Sequence, residues 1–280
     1  MATMLNILTI DLEELHHAEY VRAKSFERKD DNSKNDLERT LTLLRKHNVQ
    51  ATFFVVGELV EKHPELLSSI REDDHEVAFH AFYHEPMWQK SAETFRLEID
   101  KFNKITGEPS LGFRAPSFSV DERTIWVLDV LEEAGFKYDS SIFPARTPLY
   151  GVTNAPLKPY KPSHEKVNVE DNDAELWEFP LHVHKLAFLR FPMAGGFYLR
   201  FLPTWLMARS VGKANDDGRP AVIYAHTWEL NPETPKLNLG LYRSFVTFHN
   251  LKKTVSRLDR LLSKFKFSSV ENYMNKVGLL

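Results

Sequence analysis

The sequence predicts an α/β fold in which helices wrap a parallel sheet that is either open or closed into a barrel. Short apolar runs typical of buried strands alternate along the chain with amphipathic stretches of helical period. Polar residues that can carry chemistry directly follow several of these runs. The chain has 280 residues, of which 42% are hydrophobic, and this length is enough to bury a large core.

The first half of the chain contains the clearest alternation. Ser91 followed by Thr94 is typical of a helix start, and Gly107 and Pro109 are typical of the residues after a helix end. Apolar and β-branched runs predict strands, and a 3.6-residue apolar period predicts helices. The predicted strands are residues 5–10, 51–56, 76–79, 111–113 and 136–138, and the predicted helices are 36–46, 57–71, 91–105 and 121–133.

The second half is less regular. Residues 144–172 hold several prolines and little periodicity, which predicts a long surface excursion. We further expect strands at 175–180 and 221–225, a glycine turn at 194–198 and a C-terminal helix at 251–265. We expect residues 1–280 to form a single catalytic domain.

Composition excludes several functional classes. The chain has no cysteine, so disulfides, thiolate metal sites and cysteine nucleophiles are absent. A net charge of -3 and the lack of a basic run argue against nucleic acid as a partner. No phosphate-binding glycine loop and no Gly-x-Ser-x-Gly elbow occurs. The first residues do not resemble a secretory signal and no apolar run approaches a membrane span, so we expect a cytoplasmic protein.

Two carboxylates follow the first predicted strand. Asp11 and Glu13 are two residues apart, and strand alternation places such residues on the same side. A metal ion bound to Glu13 would leave Asp11 as a base, because two adjacent carboxylates resist joint ionisation unless a cation is near. A helix cap or a solvated acidic run that includes Glu14 is the alternative.

His80 and His84 follow the third predicted strand at an i, i+4 spacing, which places two imidazoles on one face of a helical turn. Together with Glu13 they would form a three-ligand hydrolytic metal site with one position open for water. A pair of surface histidines is the alternative, and His16 and His17 form another such pair nearby.

Three more polar residues follow predicted strands. Arg114 could hold Asp11 ionised, Asp139 could orient a histidine, and His226 ends an apolar strand in a position that suits a general acid. Taken singly, a structural ion pair, a turn and a core-edge histidine are the alternative interpretations.

In this order, the motifs resemble those of the polysaccharide deacetylases of the NodB-homology group, carbohydrate esterase family four. Further segments resemble a branch linked to exopolysaccharide and exosortase systems. The family motifs are matched by residues 9–13 (TIDLE), 80–84 (HAFYH), 114–118 (RAPSF), 139–141 (DSS) and 225–226 (AH), and the branch segments by 138–144 (YDSSIFP), 195–200 (GGFYLR) and 226–230 (HTWEL).

The resemblance implies a distorted (β/α) barrel that hydrolyses the acetyl group from an N-acetylated sugar. It implies one divalent metal ion, zinc with cobalt as the alternative. Membrane-associated polysaccharide assembly proteins are further expected partners. The implied roles are catalytic base for Asp11, general acid for His226, tuning of Asp11 for Arg114, orientation of His226 for Asp139, metal ligation for Glu13, His80 and His84, and oxyanion or substrate contacts for Ser117, Phe118, Gly196 and Trp228.

One position departs from the family pattern. The commonest first motif has two adjacent aspartates, whereas this chain has Leu12 in the second position and Glu13 and Glu14 after it. Strand alternation favours Glu13 as the ligand. Hydrolysis of another carbon–nitrogen bond, as in allantoinase-like relatives, and a carbohydrate-binding pseudoenzyme are the competing interpretations.

Overall fold

The computed structural model describes residues 4–22 and 32–280. The strands are β1 (Leu5–Leu12), β2 (Thr52–Val55), β3 (Glu76–Phe79), β4 (Gly112–Phe113), β5 (Tyr138–Asp139), β6 (Trp177–Glu178), β7 (Val183–Leu186), β8 (Leu189–Pro192), β9 (Val222–His226) and β10 (Lys266–Ser268). The helices are α1 (Glu19–Arg22), α2 (Ser33–His47), α3 (Gly57–Lys62), α4 (Glu65–Glu72), α5 (Ala92–Thr106), α6 (Trp126–Glu133), α7 (Phe197–Phe201), α8 (Thr204–Asp216), α9 (Leu241–Phe248), α10 (Thr254–Lys264) and α11 (Val270–Val277).

The main sheet is parallel. Its order is β10-β1-β2-β3-β4-β5-β6, and β9 pairs with β1 along residues 7–11. Between β6 and β9 the gap is bridged by irregular backbone, because the His182 amide donates to the Val222 carbonyl and the Tyr224 amide donates to the Ala194 carbonyl. The parallel α/β prediction is confirmed, and this irregular bridge is where the barrel is distorted.

The strands are buried on both faces, as expected for a parallel sheet covered by helices. All but the first residue of β1 are buried, and the largest apolar cluster packs helices α2 to α6 against the sheet. A second cluster fills the inner side of the curved sheet, where Phe54, Tyr138, Phe179 and Tyr224 lie. The functional side chains therefore emerge at the carboxyl ends of the strands, above this inner cluster.

Several predicted boundaries were wrong. The helix expected at 57–71 is divided into α3 and α4 because Pro64 cannot donate an amide hydrogen within a helix. The helix expected at 121–133 begins only at Trp126, since Thr124 and Asp121 are used in a preceding turn. The antiparallel pair β7–β8 and the helices α7, α8, α9 and α11 were not predicted.

The excursion at 144–172 contains isolated bridges, Tyr160 with Glu178 and Pro162 with Glu170, and no named helix or strand. Tyr160 is completely buried and its hydroxyl donates to the Val167 carbonyl. Among the described residues no helix is long and apolar enough to cross a bilayer.

The close approach of β4 and β5 requires a glycine at position 112. A Cβ atom there would lie 1.9 Å from Cζ of Tyr138, whose hydroxyl donates to Glu76. We expect Gly112→Ala to lower the free energy of unfolding by about 1–3 kcal/mol, the usual cost of overpacking. Gly212→Ala is the control, because its Cβ meets nothing within 4 Å inside α8, and it should raise stability by roughly 0.5–1 kcal/mol. Urea denaturation of both variants measures the difference, and equal stabilities would contradict the packing argument.

Candidate metal and hydrolytic site

Glu13, His80 and His84 form a buried cluster above the sheet. Their nearest ligand-type atoms all lie within 4.8 Å of one another. Oε2 of Glu13 is 2.5 Å from Nε2 of His84 and 3.9 Å from Nε2 of His80. The structure thus brings together the three residues that the sequence assigns to a metal site.

The two histidines converge through a loop and not through a helical turn, so the helical argument from their spacing was wrong. The segment after β3 has no helical hydrogen bonding, and both Ala81 and His84 adopt positive φ angles, 59° and 52°. Non-glycine residues rarely adopt this region, and such conformations cluster at functional sites. The bend returns His84 toward Glu13.

The hydrogen bonds of His80 suit metal ligation. Its Nδ1 lies 2.7 Å from the carbonyl oxygen of Arg114, which can only accept, so Nδ1 carries the hydrogen. The lone pair of a neutral ring is then on Nε2, the atom nearest Glu13. A backbone carbonyl on the other ring nitrogen is the usual arrangement behind a metal-bound histidine. Burial lowers the pKa of His80 and of His84, which favours the neutral form that binds metal.

The carboxylate of Glu13 is held from two sides. Trp228 donates its indole hydrogen to Oε1 at 3.0 Å, which leaves Oε2 toward the histidines. Burial raises the pKa of Glu13, but His84 and His226 outweigh it, and the net pKa lies well below the usual value. An ionised glutamate and two neutral imidazoles are a donor set that fits zinc. The residues present therefore fit a divalent metal ion.

A second group of candidate ligands, His16, His17 and Glu58, lies nearby. There the amide of Glu14 donates to Nδ1 of His17, so a neutral His17 carries its hydrogen on Nε2 and donates it to Glu58 at 2.9 Å. Burial lowers the pKa of His17 to about 4, which keeps the ring neutral. This tautomer has no lone pair facing the glutamate. The second group is thus arranged as a hydrogen-bonded pair, with His16 bound to Glu14 at 2.8 Å.

Arg114 is completely buried and fixes Asp11. Its Nη1 donates to Oδ1 of Asp11 at 2.7 Å and to the hydroxyl of Thr9 at 2.8 Å. Its other nitrogens donate to the carbonyl and the hydroxyl of Ser140, and its guanidinium carbon lies 4.2 Å from the centre of the Phe54 ring. A buried, hydrogen-bonded ion pair of this geometry fixes the carboxylate in orientation.

His226 faces both acidic residues. Its Nε2 lies 3.8 Å from Oδ2 of Asp11 and 3.7 Å from Oε1 of Glu13. Its Nδ1 lies 2.8 Å from Oε2 of Glu229, and Nε of Arg200 donates to Oε1 of the same carboxylate at 2.8 Å. Burial lowers the pKa of His226, but the charges of Glu13 and Glu229 outweigh burial and raise the pKa to about 9.

Glu229, and not Asp139, contacts the ring of His226, which corrects the role expected for Asp139. The register pairs Asp139 with Glu178 across β5 and β6, and the hydroxyl of Ser141 donates to Oδ1 of Asp139. Burial raises the pKa of Asp139 and of Glu178, which favours the neutral form of these carboxyl groups. The signal for Glu229 was its position three residues after His226, in the segment 226–230.

The remaining predicted contacts lie at the mouth of the site. Ser117 and Phe118 have φ angles of 55° and 47°, and the amide of Phe118 already donates to the Ala115 carbonyl. The amide of Ser117 is therefore the donor available to the predicted oxyanion role. Gly196 has a φ of 53°, and a Cβ there would lie 2.8 Å from the Tyr224 hydroxyl.

These groups surround a cavity of about 140 Å³. Its polar floor consists of Asp11, Glu13 and His226, and its walls are mostly apolar. Leu149 and Tyr150 of the excursion contribute to the wall, which sequence reasoning foresaw only as a general role for that loop. The other wall residues include Phe118, Phe197, Tyr224, Trp228, Val246 and Thr247.

Comparison with known proteins identifies related families. Residues 29–138 match the family model "Polysaccharide deacetylase", and residues 140–275 match "Domain of unknown function (DUF3473)". The chain is 35% identical over 83 residues to the peptidoglycan-N-acetylmuramic acid deacetylase PdaA of Bacillus subtilis, covering 28% of this chain and 32% of that protein. It is 32% identical over 108 residues to a peptidoglycan deacetylase of Helicobacter pylori, covering 37% and 36%. The matches thus span about a third of these relatives.

Solved structures share the fold. A structure from Mycobacterium smegmatis that bears the name polysaccharide deacetylase superposes with a TM-score of 0.57 at 18% identity, covering 97% of this chain and 89% of that one. A family 4 carbohydrate esterase from Streptomyces lividans gives 0.50 at 14% identity, covering 95% and 91%. A CE4 family pseudoenzyme from Bacillus anthracis also gives 0.50 at 14% identity, covering 97% and 65%. The distorted (β/α) barrel is therefore confirmed.

The zinc affinity of alanine variants distinguishes Glu13 from Glu14 as the acidic metal ligand. We expect Glu13→Ala to lose most of its zinc affinity, since a third of the ligand set is removed, whereas Glu14→Ala retains it because Glu14 pairs with His16. Titration calorimetry with zinc on the apoprotein, at equal protein concentration, measures both. Retained affinity in Glu13→Ala together with loss in Glu14→Ala would assign the ligand to Glu14.

Proposed function

We propose that the chain belongs to the polysaccharide deacetylase family and is a metal-dependent hydrolase that removes N-acetyl groups from an N-acetylated sugar. The observation that carries this proposal is the placement of Asp11 and His226 beside a buried cluster of Glu13, His80 and His84. A base, an acid and a metal-ligand set within one small cavity are the groups that amide hydrolysis needs. The sugar would belong to a polysaccharide, a glycolipid or a precursor.

A divalent metal ion held by Glu13, His80 and His84, zinc or cobalt, would polarise the acetyl carbonyl and lower the pKa of an attacking water. Asp11 is the base in this proposal, because Arg114 binds one oxygen of its carboxylate and fixes the orientation of the other. The carboxylate oxygen Oδ2, which faces His226, is the atom that accepts the water's proton. The amide of Ser117 donates to the oxygen that becomes negative in the transition state.

His226 is the general acid. Its Nε2 faces the cavity floor, while Glu229 binds Nδ1 and favours the charged imidazolium. The ring can then deliver a proton from Nε2 to the departing amine nitrogen. Trp228 stacks on the ring of His226 with their centres 5.6 Å apart, which limits rotation of the imidazole.

The cavity supports a small acyl group as the part of the substrate that is hydrolysed. The mostly apolar walls suit the methyl group of an acetyl substituent, and the acidic residues and His226 suit its polar amide. The sugar would then lie at the mouth, near Leu149 and Tyr150. Loops at the mouth of a barrel commonly determine specificity.

Base catalysis by Asp11 has a direct test. We expect Asp11→Asn to lower kcat by about 10²–10⁴, because asparagine keeps an oxygen for Arg114 and loses the ability to accept a proton. Acetate release from an N-acetylglucosamine oligosaccharide measures the loss, and zinc content should stay at the wild-type value. Full activity in the variant would refute the assignment. Release of ammonia or urea from a ureide panel, without acetate, would favour the allantoinase-like alternative, and glycan binding without metal or turnover would favour the pseudoenzyme.

A matched pair of variants tests the corrected partner of His226. We expect Glu229→Gln to lower kcat about 10²-fold or more with little change in KM, because the charged imidazolium loses its buried counter-ion. Asp139→Asn should stay within about tenfold of wild type, since burial favours the neutral form of Asp139 and an amide preserves its shape. Steady-state kinetics of the two variants decides. A larger loss in Asp139→Asn would restore Asp139 as the orienting residue.

A further inference from the structure

One face of the molecule exposes large apolar side chains that the core does not use. It involves α7, the start of α8 and the whole of α9. Leu241 is 96% exposed and Trp205 68% exposed, values far above those of the sheet-facing residues. We call this surface the aromatic–basic face. Its apolar members are Phe201, Trp205, Leu241, Tyr242 and Phe245.

Two of the apolar members, Phe201 and Phe245, form a connected aromatic group between α7 and α9. The rings of Phe201 and Phe245 are 6.2 Å apart, and both lie near Phe197, at 5.1 and 5.8 Å. His249 joins them at 4.6 Å from Phe245. Exposed apolar patches of this kind mark interaction sites, whereas single exposed apolar residues do not.

The rim of the patch is basic, although the whole chain has a net charge of -3. Lys252, Lys253 and Arg260 are exposed, and in the part of the chain that the structure describes no carboxylate lies within ion-pair distance of them. Lys253, Arg260 and Trp205 line one groove of about 470 Å³. The remaining lining residues of this groove are Thr204, Ser256 and Arg257.

The basic residues of this face lower the pKa of neighbouring side chains. Burial, together with the charges of Arg200, Arg257 and Lys253, lowers the pKa of His249. Burial and the charge of Arg260 lower the pKa of Arg257. Cationic side chains close together on one surface produce a positive potential that attracts anions.

The same face borders the catalytic cavity. Phe197, Val246 and Thr247 belong to α7 and α9 and also line the cavity. Arg257 donates to the carbonyls of Leu199 and Leu202 and so attaches α10 to α7. The mouth of the cavity and the apolar patch are therefore parts of one continuous surface.

Aromatic and aliphatic side chains beside unpaired Lys and Arg are the composition of helices that lie in a lipid interface. Trp and Tyr favour the headgroup region of a bilayer because their rings are apolar and their polar atoms remain hydrated there. The β7–β8 hairpin exposes Phe188 as well, but its Arg190 is engaged by the carbonyls of Pro144 and Ala155. The hairpin thus carries one exposed basic side chain without a described ion pair, Lys185, whereas three such side chains, Lys252, Lys253 and Arg260, lie beside α9 and on α10.

We propose that the aromatic–basic face docks on an anionic lipid surface, with the side chains of α9 at headgroup depth and the mouth of the catalytic cavity beside the bilayer. The apolar side chains supply the area that leaves water, and the basic rim supplies attraction to lipid phosphate. If the proposed function holds, this placement favours a glycan whose carrier is a lipid; the docking itself does not depend on that function.

Vesicle flotation with the full chain tests the docking. We expect binding to phosphatidylcholine vesicles that contain phosphatidylglycerol, little binding to phosphatidylcholine alone, and weakening by salt. Leu241→Ser with Phe245→Ser, and separately Lys252→Glu with Lys253→Glu, should each weaken binding at least about tenfold. These side chains are exposed and outside the cavity lining, so folding and acetate release from a water-soluble oligosaccharide should match wild type.

Two control variants match the changes elsewhere. Phe188→Ser removes an apolar side chain that is 87% exposed on the hairpin, and Lys104→Glu with Lys276→Glu reverses the same number of charges on α5 and α11. Both should bind anionic vesicles as wild type does. An equal loss in the controls would show that binding is not specific to this face and would overturn the proposal.

Two other results would also overturn it. Absence of wild-type binding to anionic vesicles would exclude lipid as the occupant. A wild-type dimer that Leu241→Ser with Phe245→Ser converts to a monomer, measured by light scattering, would make the face a contact between two copies of this chain. Vesicle binding without acetate release would retain the docking surface and refute the hydrolase, so the two proposals fail separately.

Discussion

The site depends on the burial of Arg114 at the end of β4. A fully buried guanidinium is tolerated only when its donors and its charge are satisfied, and here Asp11, Thr9 and Ser140 satisfy them. Removal of one partner of a buried pair typically costs about 3–5 kcal/mol. The main-chain carbonyl of the same arginine accepts from His80 and fixes the tautomer of that ring. One residue therefore orients the proposed base and fixes the tautomer of a proposed metal ligand.

Much of this arrangement could be predicted from sequence because parallel strands bring their carboxyl ends to one edge. Asp11, Arg114 and His226 each follow a short apolar run, and the fold places them together for that reason alone. His80 and His84 also converge, but the helical argument for them was wrong, since positive φ angles at Ala81 and His84 are invisible in a spacing of four. The register of the strands determines the contacts of Asp139. Asp139 pairs with Glu178 because β5 and β6 align them, and no local pattern reveals that pairing.

Most of the elements missed by sequence reasoning lie in the second half, where the apolar period does not predict which residues are buried; the short helix α1 in the first half was missed as well. Helix α9 is amphipathic, yet only Thr247 and Phe248 are buried, so its apolar residues do not mark a core-facing side. Helix α7 has five residues and is held by tertiary contacts, because helices this short are not stable on their own. Such elements are stabilised by their contacts with the barrel. They are also the elements that carry the mouth of the cavity and the aromatic–basic face.

Arg200 connects the catalytic site to the surface helix α9. Its Nε donates to Glu229, which binds His226, while its Nη atoms donate to the carbonyls of Val246 and His249 at the end of α9. A cation at a helix C-terminus stabilises the carbonyls that have no partner within the helix. Because one rigid guanidinium serves both contacts, the position of α9 and the orientation of the acid are mechanically linked. A force or ligand that shifts α9 must either carry Arg200 with it or break hydrogen bonds to a buried charge, and the second alternative is expensive. The main chain at the end of α9 thus contributes to the framework of the catalytic site, whereas the exposed side chains of Leu241 and Phe245 take no part in these hydrogen bonds.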